Sequence, residues 1–171
     1  GRPDWPHDFG KKSNQDVLLK RFHYLTIYRH RVCKQGDVVL ALYLLPEHAP
    51  TLEQKRANFD YYEAITTHDS SLSTCTFGIM ASEIGEPRKA YAYFWDTALM
   101  DLADKHGNVT AGVHIANMAG TWMSLVNGFA GLRLEAGAHL GASIAHYRPT
   151  LPEKWEAYSL VLKHMGQVLR V

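Results

Sequence analysis

Residues 111–129 read AGVHIANMAGTWMSLVNGF, a stretch that is apolar on nearly every side of a helical projection. The small residues Ala119 and Gly120 would let other helices approach closely, so the pattern predicts a helix that is packed on all sides. A membrane span would seldom carry polar groups such as His114 and Asn117. The stretch therefore predicts the buried centre of a mostly α-helical fold.

Helical periodicity continues upstream of this stretch, with residues that mark helix boundaries. Thr51 and Gln54 have the spacing of a capping box. Gly85 suits the left-handed end of a helix, and Pro87 can occupy the first position of the next one. The predicted helices, after an irregular lead-in over residues 1–24, are Cys33–Leu45, Leu52–Tyr62, Ser71–Ile84, Pro87–Ala103 and Gly112–Phe129.

The sequence pattern changes after Gly131. Prolines and glycines separate shorter segments, and Tyr158, Leu160 and Leu162 alternate as in a strand. Helices followed by strands indicate two structural units. We therefore predict a helical part over residues 1–133 and a β part over residues 134–171.

The composition excludes several classes of protein. The chain has 171 residues and a formal net charge of +1, with scattered Lys and Arg, which gives no electrostatic case for a nucleic-acid partner. The first ten residues lack the apolar segment of a signal peptide, and we expect no membrane partner. Cys33 and Cys75 are too few and too far apart for a disulfide-rich secreted module, so we expect reduced, buried thiols in a cytoplasmic protein. The absence of an initial methionine, and an end within a strand-like pattern, suggest a piece of a longer protein.

Three groups of residues could carry chemistry. Ser70 and Ser71 lie at the start of a predicted helix, where free backbone N–H groups favour anions, although ordinary capping by Asp69 or Ser70 is the simpler explanation of the local pattern. His114 is either a satisfied core residue or a ligand-binding group. Lys34 and Gln35 could reach sugar hydroxyls or form a solvated helix end.

Other common sites are missing from the sequence. It contains no glycine-rich phosphate loop, no convincing zinc spacing of Cys or His, and no nucleophile elbow. We therefore expect no metal and no cofactor.

Four segments together resemble glycoside hydrolase family 65, in the family's order and near its spacing. They are VCKQGDVVLALY (32–43), NFDYYE (58–63) with TTHDSSLS (66–73), GVHIANMAGTW (112–122) with GFAGLR (128–133), and LPEKW (151–155). This family includes phosphorylases of maltose, trehalose, kojibiose and nigerose, and some hydrolases. The resemblance implies the C-terminal portion of an (α/α)6 barrel, followed by a short β-sheet segment of the C-terminal domain.

The resemblance also implies an activity and a site. A family phosphorylase inverts the anomeric centre: a glutamic acid protonates the glycosidic oxygen while inorganic phosphate attacks from the opposite face. Lys34 and Gln35 would hold the substrate glucose, and Ser70, Ser71 and His114 would bind phosphate. The family's glutamate lies upstream of the lysine–glutamine pair, and residues 1–31 contain no glutamate, so we assign no catalytic residue to this chain.

The expected partners are a disaccharide and phosphate, and the isolated chain is expected to be inactive. A homodimeric parent is open, because the sequence does not decide the oligomeric state. The alternatives are a family 65 hydrolase of trehalose or kojibiose type, and an inactive truncated product or helical interaction module.

Overall fold

The computed structural model describes Trp5 and residues 12–45, 51–136 and 143–171. The α-helices are α1 (Lys12–Arg21), α2 (Tyr24–Ile27), α3 (Asp37–Leu44), α4 (Leu52–Ile65), α5 (Ser73–Glu83), α6 (Pro87–Ala98) and α7 (Ile115–Met123). A 3₁₀ turn over Val109–Ala111 precedes α7, and a π-helix over Ser124–Phe129 continues it. The strands are β1 (Arg133–Ala136), β2 (Ser143–His146), β3 (Val161–His164) and β4 (Gln167–Arg170). Helices followed by strands were predicted, and this order is confirmed.

The boundary residues read from the sequence act as expected. Thr51 Oγ1 accepts from the Gln54 N–H at 3.3 Å, and the Gln54 side chain accepts from the Thr51 N–H at 2.8 Å, which completes the capping box. Gly85 has φ = 79° at the end of α5, and the N–H of Glu86 reaches back to the carbonyl of Ala81. Pro87 is the first residue of α6.

Two predicted regions at the start of the chain are wrong. Part of the irregular lead-in is helix α1, whose Leu18 packs with Trp5 and Ile27 in a small separate cluster; residues 1–4 and 6–11 lie outside the described residues. Helix α3 begins at Asp37 instead of Cys33, because the backbone of Cys33 pairs with the chain around Thr66.

Further ends differ from the prediction in four helices, of which α4 continues to Ile65 instead of ending at Tyr62. Helix α5 begins at Ser73 instead of Ser71, after a turn in which Ser70 Oγ accepts from the Leu72 N–H. Helix α6 ends at Ala98 instead of Ala103. The following turns leave Leu102 86% exposed, so Leu102 does not continue the buried face of the helix. The last predicted helix is interrupted before Ile115 and changes to π-helix at Ser124.

Helix α5 lies at the centre of the core. It contacts α3, α4, α6, α7 and the π-helix, and every residue from Ser73 to Ala81 is buried. Two of its threonines are hydrogen-bonded inside the core: Thr76 Oγ1 donates to the carbonyl of Leu72, and Thr74 Oγ1 lies 2.8 Å from Thr97 Oγ1 on α6. Buried hydroxyls with such partners cost little stability.

The prediction that residues 111–129 form a helix packed on all sides is wrong for the described chain. Ile115, Met118 and Trp122 of α7 are 74%, 50% and 53% exposed, whereas Asn117 and Gly120 are buried. The helices that contact α7, α5 and α6, lie on its Asn117 and Gly120 side. An apolar sequence therefore does not by itself bury a helix, because neighbours are needed on each side.

The strands form two separate antiparallel hairpins, β1–β2 and β3–β4. Leu162 pairs with Leu169 in the second hairpin, whereas the predicted strand residues Tyr158 and Leu160 precede β3. The chain between the hairpins packs on the helices through Trp155, whose ring lies 5.4 Å from Phe94 and 5.1 Å from Phe129. None of the helices in the described ranges is long and apolar enough to cross a membrane.

Candidate functional site

The Lys34–Gln35 segment runs beside the loop that carries the two serines. The N–H of Cys33 donates to the carbonyl of Ile65 at 2.8 Å, and the N–H of Thr67 donates to the carbonyl of Cys33 at 2.9 Å. These bonds form an isolated parallel bridge between Cys33 and Thr66. The bridge fixes the lysine–glutamine segment against the start of the serine loop.

Lys34 and Gln35 share a small cleft of about 350 Å³, which Tyr62 also lines. Gln35 Nε2 donates to Asp37 Oδ1 at 2.8 Å, so the amide is held in one orientation. The Lys34 side chain is exposed. An oriented amide beside an ammonium group provides the donors and the acceptor that sugar hydroxyls need.

Ser70 forms a turn in the serine loop ahead of α5. Ser70 Oγ accepts from the Leu72 N–H at 3.3 Å, and Ser70 O accepts from the Ser73 N–H at 3.0 Å. The N-cap of α5 is Leu72, and no side chain caps it, so the expected capping by Asp69 or Ser70 is wrong. A hydroxyl that accepts through its oxygen can still donate its hydrogen, so this turn does not prevent Ser70 from binding an anion.

Tyr28 holds the other side of this loop. Its hydroxyl lies 3.0 Å from Thr67 Oγ1 and donates to Asp69 Oδ2 at 3.3 Å. Burial raises the pKa of Tyr28 to about 12, so the phenol stays protonated and keeps its hydrogen for Asp69.

His68 anchors the loop to the start of α5. Its φ is 52°, and its Nδ1 lies 2.8 Å from Ser73 Oγ. Its ring packs on Phe77 with centroids 4.8 Å apart. Burial lowers the pKa of the His68 imidazole to about 4, so the ring is neutral near pH 7.

The neutral His68 ring faces a polar network on α4 and α6. Its Nε2 lies 3.5 Å from the Tyr93 hydroxyl, which donates to Glu63 Oε1 at 2.9 Å. Lys89 Nζ pairs with Glu63 Oε2. His68, Glu63, Lys89 and Tyr93 all line a larger cleft of about 630 Å³.

His114 lies at the start of α7 and is bound by an aspartate. Its N–H donates to Asp101 Oδ2 at 2.8 Å, and its Nδ1 lies 2.5 Å from Asp101 Oδ1. The hydrogen bond from His114 lowers the pKa of the Asp101 carboxyl. The His106 ring, which lines the larger cleft, has its centroid 6.0 Å from that of His114.

Helices α5 and α7 lie parallel, so the serines and His114 are at the same end of the pair. A Cβ on Gly120 would lie 2.6 Å from Cys75 Sγ, and a Cβ on Gly128 would lie 3.7 Å from Ile79 Cα. The residue numbers in these contacts therefore increase in the same direction along both segments. Ser70 and Ser71 precede α5, and His114 precedes α7. The two serines and the histidine therefore lie next to the N-terminal ends of these helices.

The structure brings the predicted residues together in part. Lys34 and Gln35 share one cleft, and the bridge at Cys33 joins their segment to the serine loop. Ser70, Ser71 and His114 line neither this small cleft nor the larger one. Their convergence with Lys34 and Gln35 on one concave surface stays a prediction. Within the described ranges, no three His, Cys, Asp or Glu residues are grouped to hold a metal ion.

Asp101 and the role of His68 were not predicted from the sequence. Asp101 precedes its partner by 13 residues and lies across a loop, so no local period connects the two. A weak signal existed, because Asp101 and Asp104 both follow the end of α6, where acidic side chains are not expected from the helix dipole. Burial of His68 depends on Phe77, and the local pattern predicted only a helix start there.

The chain is similar to known proteins of one family. Residues 3–123 match the family described as "Glycosyl hydrolase family 65 central catalytic domain". The chain is 47% identical, over 98% of its own length and 21% of the other chain, to an α,α-trehalose phosphorylase of Geobacillus stearothermophilus. It is 40% identical, over 82% of its length and 18% of the other chain, to a kojibiose phosphorylase of Caldanaerobacter subterraneus subsp. tengcongensis.

A solved structure gives the same result. A human-microbiome protein provisionally described as a kojibiose phosphorylase superposes with a TM-score of 0.79 at 31% identity, covering 92% of this chain and 22% of the other. The chain spans about a fifth of the length of the relatives that it matches. Sequence and structure agree over nearly all of the chain, which therefore belongs to glycoside hydrolase family 65.

Proposed function

We propose that the full-length protein is an inverting phosphorylase that cleaves an α-glucosidic disaccharide with inorganic phosphate, giving β-glucose 1-phosphate and a sugar. The observation that carries this proposal is the parallel course of α5 and of α7 with its π-helical continuation, because Ser70 and Ser71 precede the first helix and His114 precedes the second. Hydroxyls and an imidazole suit a phosphate dianion. The similarity to proteins named as trehalose and kojibiose phosphorylases supports the same chemistry.

In this proposal each segment has one task. Ser70 donates its free hydroxyl hydrogen to phosphate, while Lys34 and Gln35 hold the glucose whose bond is cleaved. Phosphate attacks the anomeric carbon from the face opposite the leaving oxygen, which a glutamic acid upstream of the lysine–glutamine segment protonates. Inorganic phosphate is a co-substrate, and no cofactor takes part.

The helical part is proposed to be the C-terminal portion of an (α/α)6 barrel. Helix α6 runs antiparallel to α5, because Thr74 contacts Thr97 while Gly78 approaches Tyr93. Parallel α5 and α7 with an antiparallel helix between them suit a barrel of alternating inner and outer helices. The division at residue 133, a cytoplasmic location and a homodimeric parent remain predictions.

The isolated chain is proposed to be inactive. It offers no general acid at the expected place, and protonation of a leaving group commonly contributes about 10²–10⁴-fold in rate. An inactive product or a helical interaction module is thus the second candidate for the chain alone. The exposed apolar residues Ile115, Met118 and Trp122 favour that candidate over an independent enzyme.

The test measures glucose and glucose 1-phosphate release from maltose, trehalose and kojibiose, with and without phosphate. We expect the full-length protein to form glucose 1-phosphate only with phosphate, and the isolated chain to release neither product. His114→Ala should reduce glucose 1-phosphate formation by about 10-fold or more, since a hydrogen bond to a charged group is lost. His146→Ala is the matched control and should leave the rate unchanged, because the side chain of this β2 histidine is 51% exposed.

Two results would change the assignment. Release of glucose by the full-length protein without phosphate would favour the family 65 hydrolase. Turnover by the isolated chain would show that its general acid lies within these 171 residues.

A further inference from the structure

Asp101 occupies the loop between α6 and α7, and both of its carboxylate oxygens contact His114. Oδ2 accepts from the main-chain N–H of His114 at 2.8 Å, and Oδ1 lies 2.5 Å from the ring Nδ1. The Asp101 side chain is 12% exposed and that of His114 is 21% exposed. The contact is thus double and largely shielded from water.

We propose that Asp101 is a positioning residue that holds His114 with a proton on Nδ1, so that only Nε2 faces the phosphate. This inference rests on the proposed function, because it concerns the phosphate site of that same reaction. Asp101 itself touches no substrate, and it acts through the orientation and charge of His114.

The proton on Nδ1 follows from the chemistry of the carboxylate. The hydrogen bond from His114 lowers the pKa of the Asp101 carboxyl, so the group is ionised near pH 7 and can only accept hydrogen bonds. A ring nitrogen 2.5 Å from such an oxygen must carry the hydrogen. The carboxylate also compensates the positive charge of an imidazolium, which can then donate from Nε2 to a phosphate oxygen.

A loop-bracing role is the competing explanation, and the same loop supplies its control. Asp104 Oδ1 accepts from the main-chain N–H groups of Asn108 at 2.9 Å and Val109 at 3.1 Å. Asp104 therefore braces the loop through backbone contacts alone. Asp101 differs from it in its additional contact with an imidazole ring.

The first test compares Asp101→Asn with Asp104→Asn in the full-length enzyme. An asparagine at 101 can still accept from a backbone N–H, but its amide cannot serve as an anionic partner for the ring. We expect Asp101→Asn to raise the KM for phosphate by about 10- to 100-fold, the loss typical of a hydrogen bond to a charged group. The KM for the disaccharide should change by less than about twofold, and Asp104→Asn should leave both constants near wild type.

A second measurement follows the ring without using activity. In wild-type enzyme labelled with ¹⁵N-histidine, the His114 resonances should show a protonated Nδ1, and Asp101→Asn should change this state. Assignment comes from the resonances lost in His114→Ala. Protonation of the neutral wild-type ring at Nε2 alone, or equal KM changes for phosphate in the two aspartate variants, would overturn the proposal.

The two hypotheses fail in different ways. Disaccharide cleavage that does not need phosphate would remove the proposed function and the phosphate role of Nε2. The ¹⁵N measurement would still decide whether Asp101 positions the ring. Phosphate-dependent cleavage with an unaltered KM for phosphate in Asp101→Asn would keep the function and refute the inference.

Discussion

Helices α5 and α7 lie parallel, yet the chain buries them in opposite ways. Helix α5 carries Ser73, Thr74 and Thr76 but is buried all round, because helices and the π-helix contact it on every side. Helix α7 is more apolar, and one of its faces is exposed. The difference shows that the neighbours of a helix, and not its composition, decide its burial.

The histidines ahead of these helices differ in the same way. His68 is enclosed by Phe77 and Tyr93, contacts neutral hydroxyls, and has its pKa lowered to about 4 by burial. His114 is paired with the carboxylate of Asp101. Burial of the first ring favours a structural role, whereas an ionic partner suits the second ring to an anionic ligand.

The largest loss of stability should come from truncating a side chain of the buried helix α5. Phe77 on α5 is fully buried and packs edge-on against Phe59, with ring centroids 5.4 Å apart. Phe77→Ala should lower the free energy of unfolding of the chain by about 3–5 kcal/mol, through lost burial and a cavity. Trp122→Ala on the exposed face of α7 should cost about 1 kcal/mol or less. Urea unfolding followed by circular dichroism measures both, and equal losses would erase the contrast between the helices.

The second effect concerns the neutral ring of His68. Because its folded pKa of about 4 lies below the usual 6.5, the unfolded chain binds more protons between these values. Stability is therefore complete above pH 6.5 and falls toward pH 4, by about 3 kcal/mol at most from this group.

The matched variant is His68→Asn, since asparagine tolerates the left-handed backbone at φ = 52° and does not titrate there. Unfolding curves at pH 7 and pH 4 should show a smaller loss for His68→Asn than for wild type. An identical pH dependence in both proteins would mean that the ring is solvated.

The smallest of the three effects tests the contact between the two helices. A methyl group on Gly120 would lie 2.6 Å from Cys75 Sγ and 2.9 Å from Cys75 Cβ, so Gly120→Ala should cost about 1–3 kcal/mol by overpacking. Adding Cys75→Ala removes the sulfur and should recover part of the loss. Thermal unfolding of the single and double variants measures this, and a neutral Gly120→Ala would show that the helices can separate freely.

Local signals predicted much of the fold, and long-range contacts account for most of the errors. The capping box at Thr51 and the glycine at 85 act within a few residues, so sequence predicted the beginning of α4 and the end of α5. The start of α3 depends on backbone pairing with Thr66, which is far along the chain. No periodicity encodes such a pairing.

For the candidate site, too, local features could be predicted from the sequence and long-range contacts could not. The residue types of Ser70 and His114, and the segments that carry them, could be read from the sequence. Their environments could not, because the partner of His114 is Asp101 across a loop, and the enclosure of His68 depends on Phe77 and Tyr93. The parallel course of α5 and α7 likewise arises from packing at Gly120.

The Cys33–Thr66 bridge has a consequence for how two ligands would bind. Its two backbone hydrogen bonds tie the segment of Lys34 and Gln35 to the loop that leads to Ser70, so a movement of one segment affects the other. Ordering one segment around its ligand therefore reduces the conformational entropy of both segments. The second ligand then loses less entropy on binding, which is positive cooperativity without any change of shape. Under the proposed function, sugar and phosphate should accordingly each lower the dissociation constant of the other.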